Sequence, residues 1–551
     1  MAYGGGTFMT QNKVMPGAYI VFASIARASA TISDRGVAAA PFELSWGEPG
    51  VVREITQGEF IKNCWGLFGY SYTDDKMLYL RELFKHAIKA FVYRMPASGA
   101  AKATSTFADA KYVGERGNDI RIVVTKLTKE SNDDPQPFLV EVYVDGKVAD
   151  SQRVTAFADL KNNAWVDWIR TITVKEDVAN TYAKATAFDA AGTYYTVAST
   201  TPTQASDLAS CYEKSGDDYV KTSDTEINSG KTYYALSSVA EPAASGLANY
   251  YEQKKVDNTY TYKFTDETAR DGVSYYTTTT LGETTISLSG GGDGTVQSSA
   301  PGDFLAAIEP YSFNTLCCPY TSQTIIGQFI SHTKEQRDQY GVKFQLVCYK
   351  PSSADYEGVI GLWNDATHDS ISGVSPAAAV YWLTGAEAAA PINGSLTNTK
   401  YDGELTIAVD TRQLDLENHI KRGELVFHRS NGDIVILTDI NSLVTLRENF
   451  GSMFQKNQTI RFCDNVANDL ARLFVKRYLG IVQNDESGRA SWWNECVKYF
   501  RESQRIRAIT EFDESIVSVE IGDEKDTVVT DINGLNIVNA MEKLYMTVIC
   551  K

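Results

Sequence analysis

The sequence predicts an α+β multidomain chain: a mixed α/β core, interrupted by inserted β-rich domains and carrying extended strand arms at its N- and C-termini. Three observations predict it. Helical and strand-like periodicities alternate over residues 24–96 and again over 289–533. Between these segments lies a Tyr- and Thr-rich stretch that repeats itself about every forty residues. At either end a short β-prone run stands apart from the core segments.

The bulk properties narrow the class. A chain of 551 residues exceeds one hydrophobic core and suits about three or four domains. No run approaches the roughly 20 apolar residues of a membrane span, so no membrane insertion is expected. The opening lacks the basic-then-apolar pattern of a secretory signal, which makes the cytoplasm the expected site of synthesis. A formal charge of −17 argues against a nucleic-acid partner, since phosphate binding needs a basic face. The eight cysteines show no paired CxxC spacing and fall mostly inside apolar runs, so they read as small buried hydrophobes of a reducing compartment.

In chain order, residues 1–23 form an N-terminal arm. Gly4, Gly5 and Gly6 lead through a polar stretch to Pro16, Gly17, Ala18, Tyr19, Ile20 and Val21, a turn opening onto a β-prone run. Residues 24–96 are the first part of the core. They hold a β-like stretch at Phe42-Glu43-Leu44, an apolar run from Phe60 to Phe68, and a helix opened by Asp74 and Asp75. Met77, Leu80, Phe84, Ala87, Ile88 and Phe91 follow at helical spacing, and Phe91–Met95 reads as a strand ended by Pro96.

Residues 97–178 form an inserted β-rich domain. Its strands lie at 119–126 and 138–144, and Asp145-Gly146 is a hairpin signal. Residues 179–288 form an inserted Tyr/Thr-rich repeat domain, in which Tyr194-Tyr195, Tyr233-Tyr234 and Tyr275-Tyr276 recur and Tyr212-Glu213 returns as Tyr251-Glu252. With few aliphatics, these units read as thin β-modules on the outer surface. Paired tyrosines offer faces to sugars; the plainer reading is that one ring of each pair fills a small core. Ser289–Gly294 lacks the Gly-Lys-Ser/Thr of a phosphate loop and reads as a flexible return into the core.

Residues 289–533 are the second part of the core. Helices are expected from Asp303 to Ile308, Ser322 to Tyr340, Arg461 to Leu479 and Arg489 to Arg505, with strands at Asn314–Cys318, Val342–Tyr349 and Ile516–Ile521. Gly358–Trp363 and Ala377–Leu383 are further apolar elements, and Asn431-Gly432 marks a hairpin between Glu424–Phe427 and Asp433–Leu437. Residues 534–551 are a C-terminal arm strand. From Leu544 it alternates strictly, with Leu544, Met546 and Val548 on one side and Tyr545, Thr547 and Ile549 on the other. A terminal strand needs an edge for its backbone groups, and a second copy of the chain can supply it.

No constellation for catalysis, cofactor or metal emerges. The five histidines are not at metal-ligand spacing, and HExxH, GxSxG and Walker patterns are missing. His86, between Lys85 and Lys89, reads as solvated; Trp363, Asp365 and His368 are a candidate cluster for a site, with a loop after an apolar strand as the simpler reading. The chain is therefore expected not to be an enzyme.

Several stretches carry a family likeness: Pro16–Ile20, the glycine-Asp segment Leu288–Gly294, FVKRYLGIVQN at 474–484, Arg507-Ala508-Ile509 and the ending Ala540–Val548. Together they resemble contractile tail sheath proteins of myovirus-type bacteriophages and phage-tail-like bacteriocins of Gram-positive, clostridial-type bacteria. The likeness spans about residues 10–175 and 285–551 and is most specific toward the C-terminus, whereas the Tyr-rich repeats depart from a minimal sheath subunit.

The resemblance implies a virion or bacteriocin-particle tail component, assembled in the host cytoplasm. Its subunits stack as hexameric rings in a helical array around a tail tube protein and meet baseplate and tail-terminator proteins. Contraction drives the tube through the target envelope. Pro16, Gly17, Tyr19, Ile20, Val21 and Leu544–Ile549 would be the inter-subunit arms. The locally basic helix with Arg489, Lys498, Arg501 and Arg505 is a candidate tube-facing element. Two other readings compete: a surface-layer or adhesin-type subunit whose Tyr repeats bind glycans, and a hydrolase with paired carboxylates that sequence alone does not bring together.

Overall fold

The computed structural model describes residues 32–168, 171–175, 181–188, 194–240, 242–249, 251–254, 259–263, 281–352, 354–448 and 451–549. They form two compact units: the residues up to Ala100 together with those from Gly292 onward, and Ala101–Gly291.

The first unit is built on a seven-stranded sheet. Its strands are β1 (Val37–Phe42), β2 (Val52–Thr56), β3 (Lys89–Arg94), β4 (Thr315–Cys318), β5 (Gln345–Tyr349), β6 (Val359–Leu362) and β7 (Glu424–Leu425), in the order β2-β3-β1-β4-β5-β6-β7. All neighbours run parallel except β2, which is antiparallel to β3. Parallel strands covered on both faces need apolar residues at every position, as TLCC in β4 and QLVCY in β5 nearly provide.

Successive side chains enter opposite cores. Cys317 and Val347 join α1 (Gln57–Phe68), α2 (Leu78–Phe84) and α5 (Ala379–Ala389) on one face. Leu316, Cys318, Leu346 and Cys348 join α3 (Ala300–Ile308) and α4 (Gln323–Asp338) on the other. The adjacent Cys317 and Cys318 are thus packing residues of two different layers.

The helix expected from Asp74 onward is shorter than its periodicity suggests. A single 3₁₀ turn, Asp75–Met77, leads into α2, which ends at Phe84. The carbonyl of Gly36 then accepts from the amides of Ile88 and Lys89, drawing the chain into β3 beside β1. Sheet pairing overrides the helical spacing of Ala87, Ile88 and Phe91.

After α6 (Gln413–Lys421) and β7, a hairpin of 427–430 with 433–436 turns on Asn431 and Gly432. Both turn residues have positive φ, 50° and 94°, the geometry that favours Asn-Gly. The C-terminal part then pairs α7 (Asn457–Arg477) with α8 (Glu486–Arg505) around Phe462, Leu473, Trp492, Tyr499 and Phe500. A further antiparallel hairpin, β8 (Val517–Ile521) with β9 (Val528–Ile532), is held to α8 by Trp492 Nε1 donating to Thr530 Oγ1 and Trp493 Nε1 donating to the Val517 carbonyl, each at 2.9 Å.

The second unit contains a four-stranded antiparallel sheet and a closed six-stranded barrel. The sheet orders its strands 284–287, 120–126, 138–144 and 147–154. Its inward residues alternate, as in FLVEVYV at 138–144, and Asp145 and Gly146 take the positive φ of a tight hairpin turn.

The barrel orders 181–184, 218–221, 212–215, 233–238, 195–200 and 251–254. The sequence repeat is a structural one: strand 195–200, 3₁₀ turn 205–210 and strand 212–215 recur as 233–238, 244–249 and 251–254. In two of the tyrosine pairs the first ring, Tyr194 or Tyr233, is buried and the second, Tyr195 or Tyr234, is half-buried. One ring of each therefore fills a core. The pair at 275–276 lies outside the described residues.

Within the glycine loop, Gly291 is held in place while Gly290 and Gly292 have open space around them. Asn118 brackets Gly291, its Nδ2 donating to the glycine carbonyl at 2.9 Å and its Oδ1 accepting from the glycine amide at 2.8 Å. A Cβ on Gly291 would lie 2.5 Å from the Gly114 carbonyl oxygen, so the glycine is there for close backbone approach. Within the first unit, Ala97 and Ser98 pair antiparallel with Val296 and Thr295.

Candidate assembly interface

The C-terminal segment leaves its own fold at a definite residue. Asn536 and Ile537 pair with Thr510 and Ile509, and the amide of Val538 donates to the Ala508 carbonyl. Gln458 on α7 then grips the chain twice, donating from Nε2 to the Val538 carbonyl and accepting the Ala540 amide, both at 3.0 Å. Thr459 Oγ1 donates to Asn539 Oδ1 at 3.1 Å. The last tie is Glu542, whose carboxylate accepts from Thr397 Oγ1 at 2.8 Å and Thr438 Oγ1 at 3.2 Å and pairs with Lys456.

Beyond Glu542 no residue up to Ile549 joins a ladder within the chain, and all are exposed. Leu544 and Tyr545 retain 85% and 90% of their free surface, Met546 74%, Val548 70% and Ile549 85%. Five large apolar side chains among six successive residues, interrupted only by Thr547 and outside any ladder of the chain, form a strand-competent surface that asks for a partner. Pro16, Gly17, Tyr19, Ile20 and Val21 of the N-terminal arm lie outside the described residues.

The four basic residues of α8 do not form one patch. Lys498, Arg501 and Arg505 share a face at helical spacing and are exposed, while Arg489 lies on the opposite side. Arg489 donates to the carbonyl and side chain of Asn484 at 3.1 and 3.2 Å, closing the loop before the helix. Arg501 pairs with Glu514, and Arg505 grips Glu502 with its Nε at 2.8 Å. Neutralisation by neighbours leaves Lys498 as the least committed charge of the face.

The other sequence candidates have structural tasks. His86 is not simply solvated: its Nε2 lies 3.0 Å from Asp402 and its ring meets Trp382 edge-on. Trp363, Asp365 and His368 do not converge. Asp365 accepts from Tyr349 and pairs with Lys350, whereas His368 Nδ1 accepts the amides of Ser370 and Ile371. Burial pushes the thiols of Cys64, Cys317 and Cys496 up to about 12, far from nucleophilic use. Among the described residues no group of His, Cys, Asp or Glu could hold a metal ion.

A cluster that sequence reading missed lies along the first half of α7. Arg461 is fully buried, paired with Glu387 of α5 and, at 2.7 Å, with Asp439; it also donates to the Gly394 carbonyl. Asn457 bridges Asp439 and Glu387, at 2.7 and 3.3 Å. Burial and the neighbouring Asp439 push the Glu387 carboxyl well above the usual range, while Arg461 holds Asp439 below it against the cost of burial. One turn on, Arg337 grips Asp464 through two hydrogen bonds of 2.6 and 2.9 Å. The available signal was the row Arg461, Asp464, Asn465 and Asp469, charged and polar residues at helical spacing on one face.

The described fold is thus an anchored core that ends in an exposed, unpaired and strand-competent C-terminal segment. Comparison with known proteins gives the class. Residues 294–442 match the phage tail sheath protein central domain, 451–551 the phage tail sheath C-terminal domain, and 35–95 the N-terminal region of tail sheath protein Gp18 domain III.

The protein XkdK of the phage-like element PBSX of Bacillus subtilis strain 168 is 27% identical over 558 residues, covering 99% of both chains. The tail sheath protein of Clostridium phage phiCD119 is 27% identical over 226 residues, covering 40% of this chain and 61% of that one. The crystal structure of the sheath tail protein of Desulfitobacterium hafniense superposes with a TM-score of 0.65 at 27% identity, covering 96% of this chain and 99% of that one. The chain belongs to the phage tail sheath proteins: it is a subunit of the contractile tail sheath of a phage or phage-tail-like particle.

Proposed function

We propose that copies of this chain stack as six-fold rings in a helical array around a tail tube, linked by strands exchanged between neighbours. Contraction of that lattice drives the tube through a cell envelope. The observation that carries the reading is the C-terminal arm, tied down as far as Glu542 and fully exposed beyond it. The arm adds to the β8–β9 hairpin of a neighbouring copy, an isolated two-stranded ribbon with open edges and with Ile521 and Val529 exposed. The N-terminal arm, with Pro16, Gly17, Tyr19, Ile20 and Val21, makes the second such link.

A head-to-tail contact of this kind need not close on itself, so it builds a tube. Each exchanged backbone hydrogen bond contributes about 1 kcal/mol, and about five per arm give a contact that holds while the rigid domains turn. The tail tube meets the Lys498, Arg501 and Arg505 face of α8, with Arg489 shaping the loop before that helix. Baseplate and terminator proteins bound the array at its two ends, and assembly takes place in the host cytoplasm. A chain ended after Glu542 tests the reading by electron microscopy. It is expected to remain a folded monomer that forms no regular cylinders; cylinders of normal pitch from this variant would refute it.

A further inference from the structure

The two arms leave the core at roots that meet on one helix. At the N-terminal root, the Ser33 amide donates to Asp469 Oδ2 at 3.0 Å, an oxygen that also accepts from Tyr499 OH at 3.0 Å. Arg35 reaches further in, donating from Nη1 to Asn465 Oδ1 at 2.9 Å, from Nε to the Ala390 carbonyl at 2.9 Å and from Nη2 to the Glu387 carbonyl at 3.1 Å. At the C-terminal root, Lys456, Gln458 and Thr459 hold Val538–Glu542. Asp469, Asn465, Gln458 and Thr459 all belong to α7, and Lys456 immediately precedes it.

Between the roots runs an unbroken chain of polar contacts. Glu542 accepts from Thr397 Oγ1, which accepts the Asp439 amide at 3.0 Å; Asp439 holds Arg461, Arg461 holds Glu387, and the Glu387 carbonyl holds Arg35. The middle members are fully buried. Such charges keep to one arrangement, because a partner that moved away would leave an uncompensated ion in an apolar interior. The first turns of α7 thus spend buried polar residues where apolar ones would pack more cheaply. A packing role alone does not require that choice.

We infer that the Arg461–Glu387–Asp439 cluster couples the two arm roots, so that loosening one root loosens the other. This rests on the reading that the arms link neighbouring copies. In that setting the cluster makes α7 a strut: tension on the C-terminal arm of a subunit reaches its N-terminal arm without deforming the sheet domain. The coupling is a property of the single chain and does not need the assembled sheath in order to be measured.

The test is amide hydrogen exchange on the full chain, read at Ser33, Gly36 and Val37 for the N-terminal root and at Val538 and Ala540 for the C-terminal root. Glu542→Gln keeps shape while removing the charge that Lys456 and the two threonines hold. It is expected to speed exchange at residues 33–37 by about tenfold, alongside 538–540. Thr397→Val, which cuts the chain one step further in, is expected to do the same, and both variants lie near the surface and spare the sheet core. Unchanged protection at 33–37 in both variants overturns the coupling, whatever happens at 538–540. The variant ended after Glu542 separates this from the arm reading: it keeps both roots, so normal cylinders from it would refute the linkage between copies and leave the intramolecular coupling standing.

Discussion

Arg461 shows how much a single side chain carries here. It is fully buried and faces two carboxylates, so replacing it by Met strands at least one charge in the interior. The expected cost is roughly 3–5 kcal/mol, read as a lowered denaturant midpoint. Adding Glu387→Gln and Asp439→Asn to that variant recovers part of the loss.

A second residue sets a pH dependence. Burial pushes the Glu82 carboxyl up to about 7, although it accepts from Tyr401 OH at 2.7 Å and the Glu404 amide at 2.6 Å. The folded chain therefore holds this proton more tightly than the unfolded chain does. Its contribution to stability is greatest below pH 4.5, falls as the pH rises to about 7, and is level above that. Glu82→Gln is expected to flatten this part of the profile in thermal melts between pH 5 and 8; an unchanged slope would show that other groups produce it.

At the scale of elements, the exposed face of α8 is the natural target. Lys498→Glu combined with Arg501→Glu is expected to leave melting unchanged within about 1 kcal/mol, because both side chains are exposed. The same pair is expected to weaken co-sedimentation of sheath with tube several-fold. Elements fixed by local chemistry were legible in the sequence. The strand at Phe138–Val144, the turns at Asp145-Gly146 and Asn431-Gly432, and the long helices α7 and α8 follow from periodicity and turn residues. What escaped was set by distant partners. The amides of Ile88 and Lys89 are claimed by Gly36, some fifty residues earlier, which ends the helix that Asp74 seemed to begin. The polar face of α7 escaped for another reason: Arg461, Asp464 and Asp469 look like a solvated surface until Glu387, Asp439 and Arg337 are placed against them. The alternation after Leu544 was plain in the sequence, but the point where the chain lets go, Glu542, depends on Thr397, Thr438 and Lys456.

For the whole molecule, the division into two units makes a direct prediction. The chain departs at Ala97-Ser98 and returns at Thr295-Val296, and these two pairs lie side by side in one antiparallel ladder. Replacing Ala101–Gly291 by a few glycines is therefore expected to leave the remaining unit folded, with its own cooperative transition, since a short loop closes that gap at little entropic cost. A product that fails to fold under calorimetry would show that the second unit is needed to complete the first. The doorway at 97–98 and 295–296 also has an engineering meaning. Any module whose own ends lie close together can be grafted there without rewiring the sheet, which offers a mounting point for presenting foreign antigens or enzymes in many regularly spaced copies.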